Sequence, residues 1–443
     1  MKNIALLLWK IRENRYSVTQ LAAALEHQLA TNGVHVPVRM VEGSDNLVNS
    51  AIRLVDKGYH VIVGFSLLTT VLVERYNEIR EAVGLLRKHG NVTLIAGGAH
   101  ATGDPVGTLG LGFDFVFHGE AEETLYTFIG EILDKGDPLN TPGILYRQDE
   151  SIHYTGRQPR VEIDLYPPFP YWNNVYSPLE ITRGCIWGCR YCEVPYMHGA
   201  ILKHRSIENV SYYAKLFWSS GRRDLRFISP SALSYQGDGR RVNLDAVCTL
   251  FERLSRHRDS YGGRIFYGTF PSEIRPEHAA DHDAVKCLAR WVANRNIIIG
   301  AQSGSNRILQ AINRGHTIET VYEAVEVLNR YGFSVDIDFI YALPMETDDD
   351  LKATLEHSRR LAEKYKARIH AHYFLPLPGT PMENMEPREP PRWFIRGLNK
   401  LLGQGKLYGD WLKQRTLSWR IVDMVRKGII LGLRGWRRVR RRR

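Results

Sequence analysis

The chain has 443 residues, 44% apolar, 24% charged and 10% aromatic, a balance that excludes a disordered or fibrous polypeptide and implies two or three domains. No apolar stretch approaches the ~18–20 residues of a bilayer-spanning helix. The net charge of +11 is a local property: Arg426 to Arg443 carries nine Lys/Arg and no acid, leaving 50 basic against 48 acidic residues elsewhere. A folded body this close to neutral lacks the basic stripe that duplex nucleic acid requires.

Residues 1–155 read as one α/β domain. The opening "MKNIALLLWK" is followed at once by "IRENR" with no small-residue cleavage pattern, so it reads as a buried first strand and not a signal peptide. Apolar runs follow at "HVIVGFS", "VTLIAGG" and "FDFVFHG", separated by helical periodicity at "SVTQLAAALEHQLATNG" and "TTVLVERYNEIREAVGLLRKHG". This alternation predicts an open, Rossmann-like parallel sheet. Two of the strands end in glycine, where ligands sit on such sheets, but no G-x-G-x-x-G is present for a dinucleotide.

Residues 156–178 form a linker whose core, "DLYPPFPYWNNVYSP", is biased by its prolines toward extended structure. Strand-like and helix-like pattern alternates again over 179–385: "PLEITRG", "DLRFISPS", "RIFYGTFP", "NIIIGAQSGS", "SVDIDFIYALP" and "RIHAHYFLPLPGTP". Six strands with intervening helices predict a (β/α)6 partial barrel with its chemistry at the strand carboxyl ends. Residues 386–443 read as a helical extension with a basic tail. The tail "GIILGLRGWRRVRRRR" sets Ile, Leu, Trp and Val beside arginines. That composition suits a solvated tail, RNA contact, or peripheral contact with an anionic membrane surface.

Three of the five cysteines fall in "TRGCIWGCRYCEVPY", as Cys185, Cys189 and Cys192, directly after the first barrel strand. Three thiolates on a 4Fe–4S cubane leave one iron open to a small chelating ligand. A zinc knuckle would instead need a fourth ligand such as His198 or His204. Cys248 and Cys287 lie in helix-like runs and are expected to be buried as small hydrophobes. Five cysteines without a pairing framework suit a reducing cytosol.

The C-x3-C-x2-C spacing, with Tyr191 before the last cysteine, resembles the signature of the radical S-adenosylmethionine (SAM) superfamily. The resemblance continues for about 200 residues. It implies that the open iron chelates SAM and that reductive cleavage yields a 5′-deoxyadenosyl radical, with a reductant such as flavodoxin or ferredoxin. Carried over position by position, it implies SAM contacts from Tyr191, Gln302, Ser303 and Arg314. A guanidinium suits a carboxylate because it offers two parallel donors. Asp338 matches the ribose position, with Asp336 of the same strand parity as a competitor. Where relatives carry a Gly-Gly-Glu element this chain reads "ISPSALSY", so Ser229 and Ser231 are the candidates for the SAM amino group.

The segments "LIAGGAHATGDP" and "FVFHGEAEETL" resemble the cobalamin-binding domain that precedes the barrel in one radical SAM subgroup. On that resemblance Ser66, Gly97, Gly98, His100, Gly119 and Glu120 are the candidate cobalamin contacts. The D-x-H-x-x-G motif that supplies a cobalt-ligating histidine is absent, so no protein imidazole is expected on the lower face. Together the resemblances imply a cytoplasmic methyltransferase, peripheral at the inner membrane surface if the tail meets lipid. It would methylate an unactivated carbon of a small or lipid-like substrate. The same cofactors in a non-methylating oxidation, cyclisation or rearrangement are the alternative; a nucleic-acid-binding protein with a structural cluster is a more distant one.

Overall fold

The computed structural model describes residues 3–440. Seven strands form the first sheet: β1 (Ile4–Lys10), β2 (Val38–Glu42), β3 (His60–Ser66), β4 (Val92–Gly97), β5 (Phe115–Phe117), β6 (Ile144–Gln148) and β7 (Ser151–Tyr154). Their order is β2-β1-β3-β4-β5-β6-β7, parallel through β5 and antiparallel in the β6–β7 hairpin. Strand parity decides which core each side chain joins. Leu7 and Trp9 of β1, with Val61, Val63 and Phe65 of β3, enter one core, while Ile4, Leu6, Leu8 and Ile62 enter the other. Both faces are covered, which is why these strands read as continuous apolar runs. The half-exposed edge strand β2, "VRMVE", lacks that signal. The strand order reverses at β1 and β3, which opens a crevice beyond their carboxyl ends.

The barrel follows. Its strands are β8 (Leu179–Glu180), β9 (Thr182–Arg183), β10 (Lys203–His204), β11 (Asp224–Ile228), β12 (Arg264–Phe266), β13 (Asn296–Gln302), β14 (Ser334–Tyr341), β15 (Arg368–Tyr373) and β16 (Leu407–Tyr408). Two parallel ladders, β12-β11-β8 and β13-β14-β15-β16, are joined by a parallel bridge between Ile274 and Ile299. The result is a six-stranded partial barrel extended by β16, around one large apolar core. β9 and β10 pair antiparallel and close residues 184–202 into a loop at their base. Gly184 sits at the neck with φ +88°, where a Cβ would lie 2.0 Å from the Ile201 carbonyl oxygen. Only glycine fits there.

The proline-rich segment is not a free tether. Val161, Ile163 and Tyr166 pack with Ala24 of the first domain, and Phe169 enters the barrel core. Cys248 and Cys287 differ from expectation: both are half-buried and joined as a disulfide between helices Leu244–Tyr261 and His282–Trp291. Sequence periodicity placed each on a helix but could not place the two helices side by side.

The tail also differs from its composition. Helices Trp411–Arg426 and Gly432–Arg440 return to the first domain, where Ile421, Ile430, Trp436 and Val439 join the core on one face of its sheet. Trp436 stacks on His118 with ring centroids 5.0 Å apart. The apolar groups that a membrane surface would take are used internally, so the reading of residues 428–440 as a solvated or lipid-facing tail is corrected. Arg441 to Arg443 lie outside the described residues. Two buried carboxylates seat the last helix: Asp104 of the first domain accepts from the Leu431 and Gly432 amides at 3.0 and 2.9 Å, and Glu383 of the barrel accepts from the Leu433 amide at 3.0 Å. Among the described residues, no helix is long and apolar enough to cross a membrane.

Candidate functional site

The three-cysteine loop lies at the carboxyl end of the barrel. All three thiols are free; Cys189 is buried and the other two half-buried. Burial pushes the Cys192 thiol up to about 12 and raises Cys185 as well, so an anionic sulfur here needs a compensating cation. Two guanidinium groups are close. Arg314 donates to Cys189 Sγ at 3.7 Å and to the Gly300 carbonyl at 2.8 Å, and Arg275 lies 4.0 Å over the Trp187 ring. Burial opposes the Arg314 charge, but Tyr191, Cys189 and Glu277 hold it protonated. Its Nε is buried without a hydrogen-bond partner. Asn313 donates to the Trp187 carbonyl at 2.7 Å, tying the loop to the turn that carries Arg314.

The two imidazoles considered as a fourth zinc ligand are engaged elsewhere. His204 Nδ1 meets Thr182 Oγ1 at 3.1 Å, and His198 Nδ1 meets Glu120 Oε1 at 3.1 Å.

Behind the loop, Tyr191, Gln302 and Asp338 line one cavity inside the barrel. Gln302 ends β13 at a register shift with φ +73°, a strained conformation for a non-glycine residue. Asp336 does not compete: its carboxylate is taken by Arg368 at 2.7 and 2.9 Å and by the Tyr408 hydroxyl at 2.9 Å. The three serines differ from expectation. Ser229 donates to the Ser231 carbonyl at 2.7 Å, Ser231 Oγ meets His278 at 3.3 Å, and Ser303 accepts from the Ser305 amide at 3.2 Å. The Ser229 and Ser303 hydroxyls hold turns together, that of Ser231 reaches a histidine distant in sequence, and none of the three residues lines the cavity. Short hydroxyls beside their own backbone bond locally, which a sequence match cannot foresee.

The same cavity holds groups the sequence reading missed. Glu273, His372 and Gln414 line it, and His370 lies alongside. Burial and the Asp338 carboxylate push the Glu273 carboxyl up to about 8. Period-two parity with Asp338 on the neighbouring strand was the available signal for the two histidines.

A second cavity opens at the crevice of the first sheet. Ser66, Gly97, Gly98, Gly119 and Glu120 line it from the strand ends, with Tyr16 and Ser17 beside them. Gly98 has φ +92°, and a Cβ there would lie 2.8 Å from the Leu67 carbonyl oxygen. His100 is not among the lining groups. It is fully buried beneath, its Nδ1 3.0 Å from Thr69 Oγ1, and burial drives its imidazole down to about 3. The far wall comes from the barrel: Glu180, Arg183, Met197, His198 and Ile228. The cavity therefore lies between the two domains, on the side of the cysteine loop.

A buried ionic network forms its floor. Arg183 donates to Glu122 at 2.6 Å, Glu180 at 2.7 Å and Glu120 at 3.3 Å, and Lys203 also pairs with Glu120. Although burial works against its charge, His198, Arg183 and Lys203 hold the Glu120 carboxyl down to about 2.

Two family models match parts of the chain. Residues 179–357 match the model of the radical SAM superfamily and residues 17–129 that of the B12 binding domain. Among curated proteins, tRNA-2-methylthio-N(6)-dimethylallyladenosine synthase of Erythrobacter litoralis (strain HTCC2594) is 27% identical over 226 residues, 50% of this chain and 48% of that protein. The enzyme of the same name from Rickettsia rickettsii (strain Sheila Smith) is 28% identical over 225 residues, with the same coverage. The chain thus spans about half the length of the curated relatives it matches. Among solved structures, the radical SAM methyltransferase TsrM from Kitasatospora setae, with cobalamin and a [4Fe-4S] cluster bound, superposes with a TM-score of 0.67 at 16% identity over 87% of this chain and 77% of its own. The cobalamin-dependent radical enzyme OxsB, with aqua-cobalamin and SAM bound, gives 0.66 at 16% identity over 97% of this chain and 62% of its own. At these identities the likeness is one of fold.

Proposed function

We propose that this chain, whose residues 179–357 match the radical SAM superfamily and whose residues 17–129 match the B12 binding domain, is a cobalamin-dependent radical SAM methyltransferase acting on an unactivated carbon of a small molecule. The carrying observation is the position of the cavity between the domains: glycine-rich strand ends form one wall, and the segment flanking the cysteine loop forms the other. When bound, the cluster, SAM and cobalamin supply a hydrogen-abstracting carbon radical and a transferable methyl group.

The residues fit these groups. Three free thiols on one loop, under two buried guanidinium groups, match an anionic thiolate cluster. Arg314, with its unpartnered Nε, is the group assigned to a carboxylate, and Tyr191, Gln302 and Asp338 share the adjoining cavity. At the Gly97–Gly98 corner a Cβ on Gly98 would meet the Leu67 backbone, so glycine shapes the turn whose bare backbone is assigned to a flat macrocycle. Ser66 and Gly119 are assigned to its edge. The ionic floor ties the two walls to each other.

The test is an anaerobic incubation of reconstituted protein with SAM, a reductant and a metabolite extract from a strain lacking the gene. A methyltransferase yields S-adenosylhomocysteine and a product heavier by one CH2. Reductive SAM cleavage with no mass gain in any product would assign the chain instead to non-methylating radical chemistry.

A further inference from the structure

We propose that Asp338, His370 and His372 form a divalent-cation site inside the barrel, distinct from the cysteine loop. Three ligand atoms converge on one point. His370 Nδ1 lies 2.8 Å from Asp338 Oδ1, His372 Nε2 lies 3.1 Å from His370 Nδ1, and His372 Nε2 lies 3.7 Å from Asp338 Oδ1. Nitrogen and oxygen ligands bind transition metals at roughly 2.0–2.2 Å, so neighbouring ligands on a tetrahedral or octahedral ion stand roughly 3.0–3.5 Å apart. The observed triangle brackets that spacing.

Both rings turn a nitrogen toward the Asp338 carboxylate, so the three groups form one compact cluster. A shared cation would replace those contacts with three ligand bonds.

The surroundings suit an open site. Asp338 is 4% exposed, and it reaches the cavity from β14 while the histidines come from the next strand, β15. The face away from the ligands opens into the cavity, leaving positions for water or a substrate heteroatom. The other ring nitrogen of His372 lies 3.4 Å from the Gln414 amide nitrogen, while the Gln414 oxygen accepts from the Tyr373 amide at 2.8 Å. Two imidazoles and one carboxylate on one face favour zinc, iron(II) or cobalt(II) over magnesium or calcium. Such an ion would hold an anionic or chelating substrate group beside the cysteine loop. Both histidines meet Asp338 at Oδ1, and the same carboxylate also hydrogen-bonds the Glu273 carboxyl.

The probe is Co²⁺, whose ligand-field absorption reports nitrogen and oxygen ligation. It is titrated into tag-free chain carrying Cys185→Ala, Cys189→Ala and Cys192→Ala, so that the loop thiols cannot take it. One Co²⁺ per chain is expected, bound at least tenfold more weakly when His370→Ala or His372→Ala is added and unchanged with the exposed His27→Ala. Circular dichroism and hydroxocobalamin uptake check folding, and His372→Gln replaces any variant that fails it. No Co²⁺ uptake by the triple variant, or undiminished affinity after the histidine substitutions, would overturn the site. The methyltransferase reading is scored separately, by iron content and SAM cleavage.

Discussion

Glu120 Oε1 and His198 Nδ1 meet at 3.1 Å across the domain boundary, and the same carboxylate also takes Arg183 and Lys203. Arg183 precedes the cysteine loop and Lys203 closes it, so one side chain of the first domain holds both ends of the loop. Glu120 is thus a buckle as well as a wall of the cavity. Its carboxyl is held at about 2, below its ordinary 4.5, so its contribution to stability is complete above pH 4.5 and lost as pH falls toward 2. Thermal unfolding across pH 2–7 is expected to show an acid limb that Glu120→Gln flattens. At neutral pH that variant should lose roughly 3 kcal/mol, since it strips the charge from a buried network.

Iron is expected to depend on the loop alone. Reconstituted protein is expected to hold about four irons, and the Cys185→Ala, Cys189→Ala, Cys192→Ala variant none. SAM is expected to alter the EPR spectrum of the reduced wild type. Reductive SAM cleavage by the triple variant would refute the assignment.

Cobalamin is expected to depend on the crevice. Gly98→Val forces both a Cβ clash with Leu67 and a left-handed backbone unsuited to a β-branched residue. Hydroxocobalamin affinity, followed by visible absorption, should fall at least tenfold while iron content stays unchanged. The wild-type spectrum should be base-off, because His198, the one imidazole among the groups lining this cavity, comes from the barrel side.

The parts of the candidate site legible in the sequence are those built from neighbours along the chain. Cys185, Cys189 and Cys192 sit within eight residues, and Gly97 and Gly98 adjoin at a strand end. What was not legible depends on which strands lie together. Glu273, Asp338 and His370 come from three separate segments, and only barrel closure makes them one cluster. His100 carries the right residue type beside the right glycines but points into the core. The tail misled for a related reason: composition cannot distinguish a helix lying on lipid from one lying on protein, and Trp436 packs on His118 and Tyr154.

Truncation after Val425 therefore has a structural cost. It removes Ile430, Trp436 and Val439 from the core they share with the first domain. Each large apolar side chain is worth about 1.5–3 kcal/mol on burial. The shortened chain should melt at least several degrees lower and bind the hydrophobic dye ANS. Full-length protein should co-sediment equally with anionic and neutral vesicles; a truncation-sensitive preference for anionic vesicles would return the tail to the membrane.

The seat of the last helix also bears on how freely this architecture can be recombined. Asp104 and Glu383 reach the same turn from different domains. A chimera that borrows its first domain from a relative inherits only half of that seat, and one that borrows the barrel inherits only the other half. The two domains can drift or be exchanged only with the terminal helix travelling alongside as their common third member, so the heritable unit is the trio and not either domain.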